Sequence, residues 1–261
     1  MSGDRPARLA ALAHSPTEVA VRGERIYRAV LARSAHIRSA NFEAIAAADL
    51  RLLFDLYDGA FFGGLLGAML REDGAGEVEF RLSARMTRSA GKTILRRARE
   101  RVGFRVVARA RYEIAVSTLL LSQTFAGVDR PVTVGGLACG DRLEALQRIF
   151  EHELVHLAEF LAHGRSSCAA APFGALSRAI FGHSAAVHDL VTPREVAARS
   201  HAVRPGDRVA FRAGDGTTRV GRVNRITRRA TVLVEDPDGR PYSDGKRYAT
   251  FYVPLELLRK P

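Results

Sequence analysis

The stretch from Asp141 to Gly164, DRLEALQRIFEHELVHLAEFLAHG, constrains this chain more than any other. It reads as one helix of about 22 residues with a start and a stop signal. Asp141 stands at the N-cap with Glu144 three residues on, the pattern of a capping box built on Asp. Gly164 follows the last turn, where a left-handed residue ends a helix most easily. Leu154, Val155, Leu157 and Phe160 supply an apolar face to bury.

Inside this helix lies His152-Glu153-Leu154-Val155-His156. Histidines at i and i+4 share one helix face, so both imidazoles can reach a single metal about 2 Å away. Glu153 is adjacent to the first histidine but rotated off it. It can therefore hold a water on the metal rather than the metal itself. Zinc lowers the pKa of such a water, and the carboxylate takes its proton as the water attacks a carbonyl. The competing reading is a His pair satisfied by ordinary hydrogen bonds. A third ligand decides between the two.

Four positions compete for that role. His163 lies seven residues past His156, but a metzincin needs Gly and His where this chain has Glu159 and Ala162. Glu159, one turn beyond His156, reaches the metal only awkwardly and suits better an acceptor role behind a ligand histidine. Glu195 falls in TPRE, which reads as the first turn of a helix. His183 follows Gly182, whose backbone freedom lets the ring swing back toward the first helix, and His188 is the fallback.

The rest of the chain supplies the frame. Residues 1–44 read as an Arg-rich helical extension lying on the surface, with Val19, Arg22, Ile26 and Val30 near helical spacing. IAAADLRLLFDLYDGAFFGGLLGAML is helical, with Asp49 as a cap and Gly63-Gly64 as a break or a tight contact. GEVEFRLSARMT alternates as a strand with Val78, Phe80 and Leu82 on one face. Ser89-Ala90-Gly91 reads as a turn before a second strand, RYEIAVSTLLL (111–121) as a third, and 127–140 as a loop. After about residue 202 short β-prone runs alternate with Gly-Asp and Asp-Gly turns, which predicts a small SH3-like barrel over 203–261.

Two cysteines, Cys139 and Cys168, are too few for a disulfide framework or a zinc knuckle and read as small buried side chains. No apolar run has the length of a membrane helix, and the N-terminus lacks the apolar run of a secretory signal; the expectation is a cytoplasmic protein with no membrane partner.

Beyond the zinc motif, the chain resembles the SprT-like zinc metallopeptidases, the family that includes the protease Spartan. The matching stretches are LRLLFDLYDGAFFGGLL, LSARMTRSAGKTI, YEIAVSTLLL, HELVH and GHSAAVHDL, covering about residues 45–195. GRSSCAAAPFGALSRAI lengthens the gap to His183, and with the basic β-rich tail this is similar to a bacterial branch of the family. The resemblance implies an α+β fold: a zincin-like SprT metallopeptidase domain over 45–200 followed by the SH3-like barrel. It implies one zinc ion per chain held by His152, His156 and His183, with Glu153 as general base. His188 stays open as the third ligand, because the inserted segment departs from the family pattern.

The substrate question turns on charge. The chain carries a net charge of +12. From residue 203 onward there are 13 basic and 7 acidic residues, so this tail holds half of that charge. Such a balance favours polyanions. Arg222, Arg225, Arg228, Arg229, Lys246 and Arg247 lie among Tyr242, Tyr248, Phe251 and Tyr252, a basic–aromatic mixture suited to nucleic acid. Relatives of Spartan cut proteins crosslinked to DNA, so the resemblance implies a zinc endopeptidase acting on protein substrates associated with DNA or another nucleic acid. A zinc peptidase indifferent to DNA is a second possibility. A third is a nucleic-acid-binding adaptor with a structural zinc and no peptidase activity.

Overall fold

The computed structural model describes residues 4–102, 105–127 and 130–261, and divides into two compact units, 1–190 and 191–261. Both units mix helix and sheet to give an α+β protein.

In the first unit everything is arranged around one helix. The N-terminal helices are α1 (Arg5–Ala10), α2 (Pro16–Arg33), α3 (Ala47–Phe62) and α4 (Leu65–Glu72). They are followed by strands β1 (Val78–Ser83), β2 (Gly91–Val102) and β3 (Arg105–Ser117) and by the short helix α5 (Thr118–Gln123). A small hairpin of β4 (Val132–Val134) and β5 (Leu137–Cys139) leads into α6 (Arg142–His163) and α7 (Ala171–Phe181). Along α6, up to its last two residues Ala162 and His163, nearly every side chain is buried, and the half-exposed positions fall at Glu144, Arg148, His152, His156 and Phe160. Their spacing of four makes one stripe on the helix surface, so the core wraps α6 everywhere except along the line that carries both histidines. Asp141 caps the helix by accepting from the Glu144 amide at 2.9 Å. The expected reciprocal bond is not made: Glu144 accepts instead from the Gly140 amide at 2.7 Å. Gly164 ends the helix at φ 68°.

The first 44 residues are part of this core rather than a surface extension. Val19, Ile26 and Val30 of α2 are buried in the same cluster as Leu146, Phe150 and Leu154 of α6. Gln147 donates to the Gly23 carbonyl at 3.1 Å, and Tyr27 donates to the cap residue Asp141 at 2.8 Å. Asp49 caps α3 from inside its first turn, accepting from the Ala46 amide at 2.7 Å. Gly63 and Gly64 both take positive φ and break the chain between α3 and α4, which meet at 106°. Asp58 then caps α4 through the amides of Leu66 and Gly67, each at 2.9 Å.

The sheet of the first unit has the order β1-β3-β2, with β1 parallel and β2 antiparallel to the central β3. The expected turn at 89–91 is shorter than read, since Gly91 already pairs with Val116. The expected third strand also stops early. Ser117 accepts from the Leu120 amide at 3.1 Å, and this cap turns the apolar run that follows into α5. Within the expected loop of 127–140, the Gly135-Gly136 turn (φ 64° and 78°) makes the β4–β5 hairpin.

The second unit begins before the composition change at 202. Helix α8 (Pro193–Ser200) contributes Ala197 to a core built with Val209, Phe211, Val223, Val232 and Phe251. Its sheet is an antiparallel meander of β6 (Arg208–Arg212), β7 (Thr218–Ile226), β8 (Ala230–Pro241) and β9 (Arg247–Val253). Among the described residues β6 and β9 do not pair, so this is an open sheet rather than a closed barrel. One bridge, Ala210 to Arg259, brings the C-terminal segment onto β6. No single helix among the described residues is long and apolar enough to cross a membrane.

Candidate metal centre

His152 and His156 project side by side from the stripe on α6, with ring centroids 4.9 Å apart. Phe173 of α7 packs against both rings, at 4.8 and 4.5 Å. Burial in this apolar setting disfavours the charged imidazolium. It pushes His152 down to about 3, with the neighbouring His156, His183 and His188 adding repulsion, and His156 down to about 4. Both rings are therefore neutral at physiological pH and offer a lone pair.

Which nitrogen of His156 offers it follows from its neighbours. Ser166 donates its hydroxyl proton to Glu159 at 2.5 Å, and its oxygen lies 2.6 Å from His156 Nδ1. With that proton committed, Nδ1–H must be the donor to Ser166, which leaves Nε2 as the lone-pair nitrogen. Glu159 thus holds the acceptor role expected of it, through Ser166 as intermediary.

Glu153 points from α6 toward β2. Thr93 Oγ1 lies 2.8 Å from its carboxylate and 3.0 Å from its backbone carbonyl. The carboxylate occupies the space that a side chain at position 91 would fill: a Cβ there would stand 2.4 Å from Glu153 Oε1. Gly91 is thus the residue that lets β2 and the carboxylate coexist. Burial raises Glu153 to about 7, against the opposing hydrogen bonds from Thr93. A carboxyl poised there can exchange a proton near neutral pH.

The candidates for a third ligand separate clearly. His183 is buried, and its Nε2 lies 2.7 Å from Glu151, a buried carboxylate that also accepts from Arg148 at 2.7 Å and Tyr57 at 2.8 Å. Burial works against the Glu151 charge, but Arg148 and the His183 hydrogen bond outweigh it and hold its pKa below the usual value. Among the described residues His183 Nδ1 has no hydrogen-bond partner, and it faces Gly135, where a Cβ would come within 2.6 Å of it. His188 uses both nitrogens on backbone: Nε2 donates to the Arg88 carbonyl at 2.9 Å, and Nδ1 accepts from the Leu190 amide at 3.3 Å. His163 is exposed in the last turn of α6, and Glu195 lies in the first turn of α8.

The group that joins the histidine pair is Cys168. Ligand atoms of His152, His156 and Cys168 all lie within 4.8 Å of one another, the cluster that could hold a metal among the described residues. The expectation of two buried thiols holds for Cys139 and fails for Cys168, which is exposed in the α6–α7 loop beside the site. Two neutral imidazoles and a sulfur are a donor set that suits zinc. Sequence reasoning also passed over Ser166, Thr93 and Gly91. The signal for the first was its place, with Cys168, in the loop directly beyond the Gly164 cap.

The six basic residues named in the tail are all exposed but do not form one patch. Arg228 and Arg229 lie in the β7–β8 turn, and Lys246 and Arg247 at the opposite end of β8. Lys246 is paired with Glu235, and Arg247 donates to the Gly239 carbonyl at 2.8 Å. Arg222 and Arg225 belong to a different grouping on the outer face of the sheet. Arg208, Arg222, Leu233 and Thr250 form one cross-strand row, and Arg225, Thr231 and Tyr252 the next. Of the aromatics, Phe251 is packed on Phe211 in the core, whereas Tyr252 is 66% exposed.

No protein-family model, curated protein or solved structure matches this chain.

Proposed function

We propose that this chain is a zinc-dependent metalloendopeptidase of the SprT-like kind, with a zincin-like first unit and an SH3-like second unit, acting on proteins associated with or crosslinked to DNA. The observation that carries the reading is the pairing of His152 and His156 on the one uncovered stripe of α6 with Glu153 turned into the adjacent strand. The three-donor cluster supports catalysis over a structural role, because a tetrahedral ion held by three side chains keeps one position open.

On this reading His152 and His156 hold the zinc with a third donor. A bound zinc would supply Lewis acidity toward a peptide carbonyl and toward solvent. Glu153 takes the proton released from water and passes it to the leaving amine, a task that its raised pKa suits. Ser166 and Glu159 keep His156 in the tautomer that presents Nε2. Strand β2 is an edge of its sheet, so an extended substrate can add alongside it and bring a scissile carbonyl next to Glu153.

The DNA component rests on the outer face of the second sheet. Arg208 and Arg222 stand directly opposite each other across β6 and β7, a like-charge pair that a phosphate would relieve. Exposed Tyr252 in the next row offers a stacking surface.

The test uses full-length zinc-loaded protein and one substrate protein, either free or crosslinked to DNA. Cleavage is expected in both cases and faster on DNA, and Glu153→Gln should abolish it with zinc content unchanged. Cleavage surviving in that variant would refute the mechanism. The double variant Arg208→Glu, Arg222→Glu should remove the DNA advantage alone; an undiminished advantage removes this face from the proposal.

A further inference from the structure

We infer that Cys168 Sγ is the third protein ligand of the metal, so that His152, His156 and Cys168 form a two-nitrogen, one-sulfur site with a fourth position open. The inference rests on the zinc reading above and deepens it.

The first argument is proximity. Ligand atoms of the three residues lie within 4.8 Å of one another. With zinc–nitrogen and zinc–sulfur distances of about 2.0 and 2.3 Å, neighbouring ligand atoms on a tetrahedron stand roughly 3.3–3.7 Å apart. Coordination therefore asks for a contraction of at most about 1–1.5 Å, which the exposed side chain of Cys168 can supply by rotating about its own bonds.

The second argument is that one short loop already serves this site. Gly164 turns the chain out of α6, and Ser166 then engages His156 Nδ1 at 2.6 Å. Two residues later the chain presents Cys168. Phe173, in the helix that follows, packs on both imidazoles. Ser166 meets His156 near the start of the loop and Phe173 packs on both rings just beyond its end, so the segment between them carries Cys168 past the two imidazoles.

The third argument is the commitment of the rival. His183 Nε2 is bound to Glu151 within a buried network, and the 183–189 segment is pinned to the Gly135 hairpin turn. The Ser184 amide donates to the Gly135 carbonyl at 2.9 Å, and the Gly135 amide donates to the Val187 carbonyl at 2.9 Å. Without giving up its bond to Glu151, His183 offers only Nδ1, and that nitrogen faces Gly135, outside the cluster that His152, His156 and Cys168 form.

Ligation takes the proton from the thiol, which leaves to solvent, and forms a zinc–thiolate bond. Adding a negative charge to two neutral imidazoles lowers the net charge of the loaded site from +2 to +1.

The test is X-ray absorption at the zinc edge on the full chain, loaded with Zn2+ under a phosphine reductant so that no external thiol competes. A sulfur shell at about 2.3 Å is expected. It should vanish in Cys168→Ala and persist in Cys139→Ala and in His183→Gln, which keeps a donor to Glu151. The Co2+-loaded protein should show a thiolate-to-cobalt charge-transfer band that Cys168→Ala loses. Bound zinc with only nitrogen and oxygen neighbours in the wild type would overturn the inference and leave the metallopeptidase reading standing. Failure of the wild type to bind zinc would overturn both.

Discussion

Replacing Glu153 by Gln should stabilise the metal-free protein at alkaline pH, by an amount that follows from burial. Glu153 is raised from 4.5 to about 7 because α6 and β2 enclose its carboxylate. Between these two values the unfolded chain has released the proton and the folded chain still holds it. The folded state then binds more protons, and stability falls as pH rises. The loss grows from pH 4.5 and is complete above pH 7. At 1.36 kcal/mol per unit it amounts to about 3 kcal/mol. Gln keeps the shape and an acceptor for Thr93 Oγ1 but carries no charge, so it escapes this penalty. The assay is urea denaturation of chelator-treated protein, wild type and variant, at several pH values from 5 to 8. It is followed by the helical circular dichroism signal, which comes mostly from the first unit. His152 and His156 shift in the opposite sense and destabilise the apo-protein as pH falls below 6.5, equally in both proteins. The difference between variant and wild type therefore isolates Glu153, and it should widen by about 2–3 kcal/mol from pH 5 to pH 8. A difference that does not change with pH would show that the carboxylate is not held in a charge-excluding site.

Two further outcomes test the surroundings of the site. Gly91→Ala drives a methyl into the Glu153 carboxylate; zinc content should be retained while kcat/KM collapses, with about 1–3 kcal/mol of lost stability from overpacking, measured by peptidase assay and denaturation. Ser166→Ala breaks the link from His156 to Glu159 and should weaken zinc binding by about 10–100-fold in a chelator competition, whereas unchanged affinity would remove Ser166 from the supporting shell.

Much of the first unit is legible in local chemistry. The limits of α6, the strands with alternating side chains and the Gly63-Gly64 break follow from caps, periodicity and backbone freedom, which act over a few residues. The errors share a cause too. The apolar run 118–121 reads as a continuation of the strand, although Ser117, the strand's last residue, caps a helix there. Local periodicity makes α1 and α2 look like surface additions, although their apolar stripe packs into the core around α6, more than a hundred residues away. The change in composition near 202 marks the β-rich part of the second unit, whereas Ala197 of α8 already belongs to its core.

The histidine pair and its neighbouring carboxylate were determined by sequence alone, because a spacing of four on a helix fixes a shared face whatever surrounds it. The third donor was not determinable in that way. The sequence points to His183, which follows a glycine that lets it turn, with His188 as the fallback, and reads Cys168 as a buried thiol. Tertiary structure separates them by what else each must satisfy. Glu151 and the Gly135 turn hold His183 in the core, the backbone of residues 88 and 190 takes both nitrogens of His188, and the loop behind Gly164 sets Cys168 beside the two imidazoles. The reason is physical: a ligand's reach along the chain is local, but its prior commitments are set by buried groups far away in sequence.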